Sequence, residues 1–204
     1  MIVRVVNAEL ADSMIDERRR LGIDGHDEIW DGVYVIPPTL TIKHQAILRD
    51  VGLILMKVLD KSGGDQVLLG ANVSDRPGPD WLKNVRVPDI VVVLDGSRAV
   101  DCDTHYCGGP DFLVEIHSPG DETKAKIPFY ARIGVRELLV IHRDTRRLRL
   151  FRHDGTDLAP AQPDCKAKEL TSAVVPLAFR RTTSGGRPRT QVRRTDGTAG
   201  RWVI

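Results

Sequence analysis

Residues 110–142 read PDFLVEIHSPGDETKAKIPFYARIGVRELLVIH, and this stretch decides the fold. The apolar run at 112–116 lies between two turns rich in Pro, Gly and Asp, which predicts a strand buried on both faces. A helical pattern follows, with Asp121 or Thr123 as its cap and Gly134 at its end, and then a second apolar run at 136–142. Glu115 lies inside the first strand, where a buried carboxylate is costly unless it has a partner or a purpose.

The flanking sequence predicts a hairpin, a long helix and further strands. Two runs rich in β-formers at 28–36 surround Asp31-Gly32, the favoured pair for a two-residue hairpin turn. Residues 41–62 carry apolar side chains at helical spacing before Gly63-Gly64, which predicts a helix. Further strands are expected at 65–71, 85–95 and 147–153, because each is an apolar run bounded by turn residues.

The overall composition is that of one globular domain. The chain has 204 residues, of which 41% are hydrophobic and 28% charged, and its net charge of +2 neither indicates nor excludes a nucleic-acid partner. Charges interrupt the first 20 residues, so we expect neither a signal peptide nor a membrane partner, and a cytoplasmic location. Three cysteines cannot form a disulfide framework alone, which agrees with a reducing compartment.

Composition divides the chain into an N-terminal extension at 1–25, a main domain at 26–179 and a basic tail at 180–204. The tail is rich in Arg, Gly and Thr and poor in apolar residues, which predicts a flexible or loosely docked segment. A sharper interpretation is a basic arm that follows phosphates.

Two Pro-Asp pairs each open a predicted strand, at Pro88-Asp89 and at Pro110-Asp111. Strand residues two apart share a face, so Asp111 and Glu115 point the same way, and Asp89 can face them from the adjacent strand. Gathered carboxylates repel one another unless a cation compensates, and their oxygens suit a hard divalent ion. The pattern predicts a divalent metal held by Asp89 and Glu115, with Asp111 as a reserve ligand.

A lysine at the start of the following helix can reach the same site. Lys124 and Lys126 are both candidates, although helical spacing puts them on different faces. In phosphodiester hydrolysis a metal activates water and offsets phosphorane charge, while an ammonium group stabilises negative charge. Two carboxylates, a metal and a lysine therefore fit one reaction.

At this point the sequence resembles a known family. The hairpin EIWDGVYVIPP at 28–38, His44, VPDIVVV at 87–93 and the stretch at 110–144 together look like the Uma-two family of restriction-endonuclease-like proteins. This family lies within the PD-(D/E)-x-K nuclease superfamily, and the resemblance spans roughly residues 26–155. It implies an α/β (α+β) fold with a restriction-endonuclease-like core, in which helices flank a mixed central β-sheet and a β-hairpin precedes it.

The resemblance also implies metal-dependent cleavage of nucleic acid, DNA in particular, with Mg²⁺ or Mn²⁺ as the cofactor. Carried over by position, the catalytic residues are Asp89, Glu115 and Lys126. One departure matters. The plain superfamily motif has lysine two residues after the glutamate, where this chain has His117, so the lysine of this family's pattern lies on the helix.

Each candidate also has a structural interpretation. Asp89 and Asp111 could cap turns, since Pro-Asp pairs often do so. Glu115 could form an ion pair with Arg132 or Arg136, because buried charges normally find partners.

Glu28, His44 and His117 lie near the expected cleft, and we leave them outside the catalytic set. The Cys/His cluster at 102–107 has no second Cys/His pair nearby, which argues against structural zinc.

The leading hypothesis is a metal-dependent endonuclease. A catalytically inactive nucleic-acid or protein-binding module on the same fold is the alternative, because fold alone does not guarantee activity. A third hypothesis is a hydrolase of another phosphate ester. The sequence neither predicts nor excludes a homodimer. Many enzymes that cut both DNA strands are symmetric dimers, but no residue here identifies a dimer face.

Overall fold

The computed structural model describes residues 2–59 and 63–204. Its described residues form three α-helices, α1 (Ala8–Arg20), α2 (Ile42–Val58) and α3 (Thr123–Arg132), and a 3₁₀ helix at Gly78–Lys83. The strands are β1 (Val3–Val5), β2 (Glu28–Trp30), β3 (Val33–Ile36), β4 (Gln66–Leu69), β5 (Val73–Ser74), β6 (Val85–Arg86), β7 (Ile90–Val93), β8 (Val100–Asp101), β9 (Tyr106–Cys107), β10 (Phe112–His117), β11 (Glu137–His142), β12 (Leu148–His153), β13 (Leu158–Pro160), β14 (Leu170–Thr171), β15 (Leu177–Ser184), β16 (Arg187–Arg194) and β17 (Arg201–Val203).

The central sheet has six strands in the order β13-β12-β11-β10-β7-β4. β10 and β11 are parallel, whereas the other neighbours pair antiparallel. A parallel pair needs a crossover, and α3 supplies it between β10 and β11. The predicted mixed α/β fold, with helices flanking a mixed central sheet, is confirmed.

Both faces of β10 are buried, as the apolar run at 112–116 predicts. Phe112, Val114 and Ile116 pack in one core with apolar side chains of α2. Leu113 packs on the opposite face with Phe129 of α3. Because strand side chains alternate between faces, Glu115 lies on the α3 side with Leu113.

The predicted hairpin is confirmed by the pairing of β2 with β3. Its two turn residues have positive φ, 49° at Asp31 and 88° at Gly32, as the tight turn requires. The hairpin belongs to a second sheet, in which β2 also pairs with β6. Just after β6 the chain passes through Val87-Pro88-Asp89 into β7, so the hairpin lies beside the start of a central strand.

The long helix begins where the sequence predicts. The Thr41 side chain accepts a hydrogen bond from the His44 backbone N–H, and α2 ends at Val58. The last predicted helical positions, 60–62, lie outside the described residues. None of the helices in the described part of the chain is long and apolar enough to cross a membrane.

The N-terminal segment contributes to the second sheet. β1 pairs with β3, and Ala11 of α1 packs with Val5 and Tyr34 in a small core.

The expectation of a flexible tail is wrong. β14, β15, β16 and β17 form a four-stranded sheet, and Val192 and Ile204 are buried in the same core as α2. A strand that buries only one face needs apolar side chains at alternate positions only. A segment with few apolar residues can therefore still pack against a core. The arginines that make the composition look disordered lie along these strands, and Arg193 pairs with Glu169 at 2.7 Å.

Candidate active site

The antiparallel pairing of β7 with β10 sets Asp89 against Glu115. Val114 pairs with Ile90, and continuing that register brings Asp89 beside Glu115. The Ile116 backbone N–H donates to Asp89 Oδ2 at 2.6 Å, which holds this carboxylate against β10. The sequence therefore predicts the proximity of these two acids correctly.

Helix α3 brings two donors to Glu115. Lys126 Nζ lies 3.1 Å from Glu115 Oε1, and the Tyr130 hydroxyl donates to the same oxygen at 2.6 Å. These two residues are four apart and so share a helix face. The side chain of Glu115 is 5% exposed, so its charge depends on these partners rather than on water.

Glu28 is part of the same cluster, although sequence reasoning left it outside. Its Oε1 lies 2.8 Å from Lys126 Nζ and accepts from the Val87 backbone N–H at 2.8 Å. The Trp30 indole N–H donates to Oε2 at 2.5 Å. In the sequence, Glu28 stands out only as an acid two residues before a tryptophan in a predicted hairpin strand. Its role depends on the packing of that hairpin beside β7, which the local sequence does not show.

His44 also joins the cluster from the first turn of α2. Its Nε2 lies 3.1 Å from Asp89 Oδ1, and its side chain is 4% exposed. With Ile116 on one carboxylate oxygen and His44 on the other, Asp89 is held in a single orientation.

Burial and neighbouring charges shift the pKa values of the cluster. Burial raises the pKa of Glu115 to about 8; the Lys126 ammonium opposes this rise, and the charges of Asp89 and Glu28 add to it. Burial lowers the pKa of Lys126, but Glu115 and Glu28 outweigh that effect and leave it above its ordinary value, so Lys126 is cationic at neutral pH. Burial, and then Glu115, raise the pKa of Tyr130, which keeps its hydroxyl a donor. Two cations act on these acids: Lys126 contacts Glu28 and Glu115, and the charge of Glu28 also acts on the buried guanidinium of Arg86.

These residues line one cavity of about 250 Å³, with Glu28, His44, Asp89, Glu115 and Lys126 in its wall. The cavity lies between the hairpin, the start of α2, the ends of the central strands and the first turns of α3. It is the place where a reacting group could meet both the acids and the lysine.

The donor set suits a hydrated divalent ion. Within residues 2–59 and 63–204, no three His, Cys, Asp or Glu side chains are arranged to enclose a metal ion by themselves. Mg²⁺ typically keeps several waters and binds one or two carboxylates, so Asp89 and Glu115 meet its needs. The pKa of Glu115 is raised mainly by burial and then by the charges of Asp89 and Glu28, and a bound cation would favour its ionised form.

The structure places Asp111 away from Asp89 and Glu115, which corrects the prediction that it is a reserve metal ligand. Asp111 Oδ1 accepts from Arg136 Nη1 at 2.9 Å, and Oδ2 accepts from the Leu94 backbone N–H at 2.9 Å. Glu115 lies four residue steps beyond Asp111, which is roughly 13 Å along an extended chain. Although Asp111 and Glu115 were expected on one face, they lie at different positions along the chain direction. Asp111 caps a turn and forms an ion pair instead of lining the cavity.

The other open alternatives are resolved in the same way. Arg136 pairs with Asp111, and Arg132 lies 3.3 Å from Asp31, so neither arginine is a partner of Glu115. Lys124 is exposed and lines a neighbouring hollow, so Lys126 is the lysine that reaches the acids.

His117, in the position of the superfamily lysine, stabilises the turn after β10. Its Nδ1 lies 2.8 Å from Asp121 Oδ1, and Asp121 Oδ2 accepts from the Ser118 backbone N–H at 2.7 Å. In the 102–107 cluster, His105 Nε2 bonds to the Arg76 carbonyl at 2.8 Å, which uses this histidine structurally and agrees with the argument against zinc.

Comparisons with known proteins bear on the family and the fold of this chain. A model of the Uma-two family, described as "Putative restriction endonuclease", matches residues 19–184. Among solved structures, the chain is similar to "a putative nuclease belonging to DUF820 from Anabaena variabilis", with a TM-score of 0.52 and 19% identity over 63% of this chain and 72% of that chain. At that identity the likeness shows the fold alone. The search of curated proteins gave no match.

Proposed function

Because the chain belongs to the Uma-two family of restriction-endonuclease-like proteins, we propose that it is a metal-dependent endonuclease that hydrolyses phosphodiester bonds of DNA. The observation that carries the proposal is the meeting of Asp89, Glu115 and Lys126 in one cavity, with Lys126 Nζ 3.1 Å from Glu115. Acids and an ammonium in such proximity fit phosphoryl chemistry, in which both metal binding and charge stabilisation are needed.

In this proposal Asp89 and Glu115 hold Mg²⁺ or Mn²⁺. When bound, the ion supplies an activated water and offsets charge on the phosphate. Lys126, which stays cationic, stabilises negative charge on the non-bridging phosphate oxygens.

Asp89, Glu115 and Lys126 are each positioned by a further residue. His44 holds one oxygen of Asp89 at 3.1 Å, and the Tyr130 hydroxyl holds Glu115 at 2.6 Å. Glu28 holds Lys126 at 2.8 Å. Preorganised groups of this kind need little rearrangement when substrate arrives.

The alternative function is a nucleic-acid-binding module without catalytic activity. One observation favours it: the Lys126 ammonium already lies between Glu28 and Glu115, so the chain supplies its own cation for these acids. A metal would have to share Glu115 with this lysine.

A cleavage assay on supercoiled plasmid and on single-stranded DNA, in Mg²⁺, Mn²⁺ or EDTA, tests the proposal. We expect Glu115→Gln to lower the rate by roughly a hundredfold or more, because it removes a charged metal ligand. Asp111→Asn is the matched control, since it neutralises a buried acid just before the same strand that lies outside the cavity.

Two results would contradict the proposal: cleavage that persists in EDTA, or cleavage that Glu115→Gln leaves unchanged. If DNA is not cut and calorimetry also detects no Mn²⁺ binding, the non-catalytic alternative replaces the proposal.

A further inference from the structure

A second hollow, of about 170 Å³, lies beside the candidate active site. It is formed by the ends of β10, β11 and β12 and by the first turns of α3. Three of its wall residues, Lys124, Arg147 and Arg149, are cationic and exposed. We call this the basic hollow.

The basic hollow continues the sheet face that carries Glu115. Glu115 pairs with Val140 across β10 and β11, and Val140 pairs with Arg149 across β11 and β12. Directly paired strand residues share a face, and neighbouring strands are about 4.8 Å apart, so Arg149 lies about 10 Å from Glu115 at the backbone. Thr123 lines both the active-site cavity and the basic hollow.

The three cations are not neutralised by other described residues. Among the residues that the structure describes, none of those in the wall of the basic hollow is Asp or Glu. Across residues 2–59 and 63–204, the side chains of Lys124, Arg147 and Arg149 form no ion pair, whereas neighbouring Arg143 pairs with Asp144 at 2.8 Å. Unpaired cations grouped around a concave surface attract a polyanion.

His142 adds a hydrogen-bond donor to the same wall. Its Nδ1 accepts from the backbone N–H groups of Asp144 and Thr145, each at 3.2 Å. Because Nδ1 is an acceptor, the ring N–H is on Nε2, which can donate to an oxygen acceptor such as a phosphate.

The floor of the basic hollow is apolar, with Ile127, Val140 and Phe151 in its lining. Cations at the rim and an apolar floor complement the two parts of a nucleic-acid backbone, the charged phosphates and the less polar sugars.

We propose that the basic hollow binds the sugar–phosphate backbone of the substrate strand close to the bond that is cut, an inference that rests on the proposed function. A separation of about 10 Å corresponds to about three nucleotides along one strand of a duplex. The contact is with phosphate and sugar, so it sets the position of the strand on the enzyme and does not read its sequence.

The test measures binding of a fluorescent 30-base-pair DNA duplex in EDTA, where the proposed reaction cannot proceed, over a range of salt concentrations. The variant is the double substitution Arg147→Gln with Arg149→Gln. Its matched control, Arg19→Gln with Arg20→Gln on α1, removes the same charge from arginines that already lie near Asp24 and Glu17.

We expect the variant to bind roughly tenfold more weakly, and the slope of log Kd against log salt to fall by about 2, because each lost phosphate contact removes about 0.9. The control should match the wild type. In cleavage assays the variant should raise KM and leave kcat unchanged, since its arginines contact the strand away from the reacting atoms.

The inference is overturned if the variant keeps the wild-type affinity and salt slope, or if the control loses as much affinity as the variant. These results are separable from the proposed function. A wild type that cuts nothing while the variant alone binds more weakly supports the basic hollow as a nucleic-acid site and refutes the nuclease. A wild type that cuts DNA while the variant binds normally refutes the basic hollow alone.

Discussion

Replacing Lys126 with methionine tests whether one ammonium stabilises the buried acids. Lys126 Nζ lies 2.8 Å from Glu28 and 3.1 Å from Glu115, and the lysine side chain is 14% exposed. Methionine keeps much of the side-chain volume and removes the charge, so the packing of α3 is largely retained while the two carboxylates lose their shared partner.

The cost can be worked from this geometry. Removing one partner of a buried ion pair costs about 3–5 kcal/mol, because the remaining charge is left uncompensated. Because burial raises the pKa of Glu115 to about 8, this acid already carries a proton most of the time at neutral pH, so the loss of its partner costs less and we expect the lower end, about 3 kcal/mol. In a domain of this size each kcal/mol shifts Tm by about 2–4 °C, so Lys126→Met should melt about 6–12 °C below the wild type.

The measurement is thermal unfolding followed by circular dichroism at neutral pH in EDTA. Lys124→Met is the matched control, because Lys124 lies on the same helix but is exposed. We expect the control to melt within about 2 °C of the wild type, since exposed substitutions usually change stability little. The reasoning is refuted if Lys126→Met melts as high as the wild type, or if both lysine variants lose the same stability.

Two further substitutions probe the packing that positions the site. Val192→Ala should lower the free energy of unfolding in urea by about 2–3 kcal/mol, since it removes two fully buried methyl groups. Val203→Ala, at a position 53% exposed, should cost far less. Equal losses would mean that the C-terminal sheet is not docked on the core. Gly109→Ala should lower the free energy of unfolding by about 3 kcal/mol, because its added Cβ would lie 2.3 Å from the Gly134 backbone. The control is Gly25→Ala, whose added Cβ meets nothing within 4 Å. A Gly109→Ala variant as stable as Gly25→Ala would contradict this close approach.

Local patterns in the sequence determined the elements that carry the site. The Asp31-Gly32 pair specified the hairpin through its positive φ angles, and the apolar run around Glu115 specified a strand buried on both faces. These predictions succeed because turn chemistry and side-chain alternation depend on neighbours in the chain.

Alternation determines which face of a strand a side chain occupies, but it does not determine what lies opposite. Alternation puts Asp111, just before β10, on the same side as Glu115 within it, yet Asp111 meets Arg136 and Glu115 meets Lys126. The tertiary structure decided this, because strand pairing and the crossover through α3 bring different segments to the two ends of β10.

The same reason explains the residues that sequence reasoning left out. Glu28 and His44 reach the site from a hairpin and from a helix whose packing beside β7 no local pattern encodes. Likewise, the composition of residues 180–204 predicted disorder, but Val192 and Ile204 are buried because a core formed by distant strands is available to receive them. The sequence by itself determined the elements around the site and the candidate acids, and only long-range packing decided which side chains share the cavity and how the C-terminal strands dock.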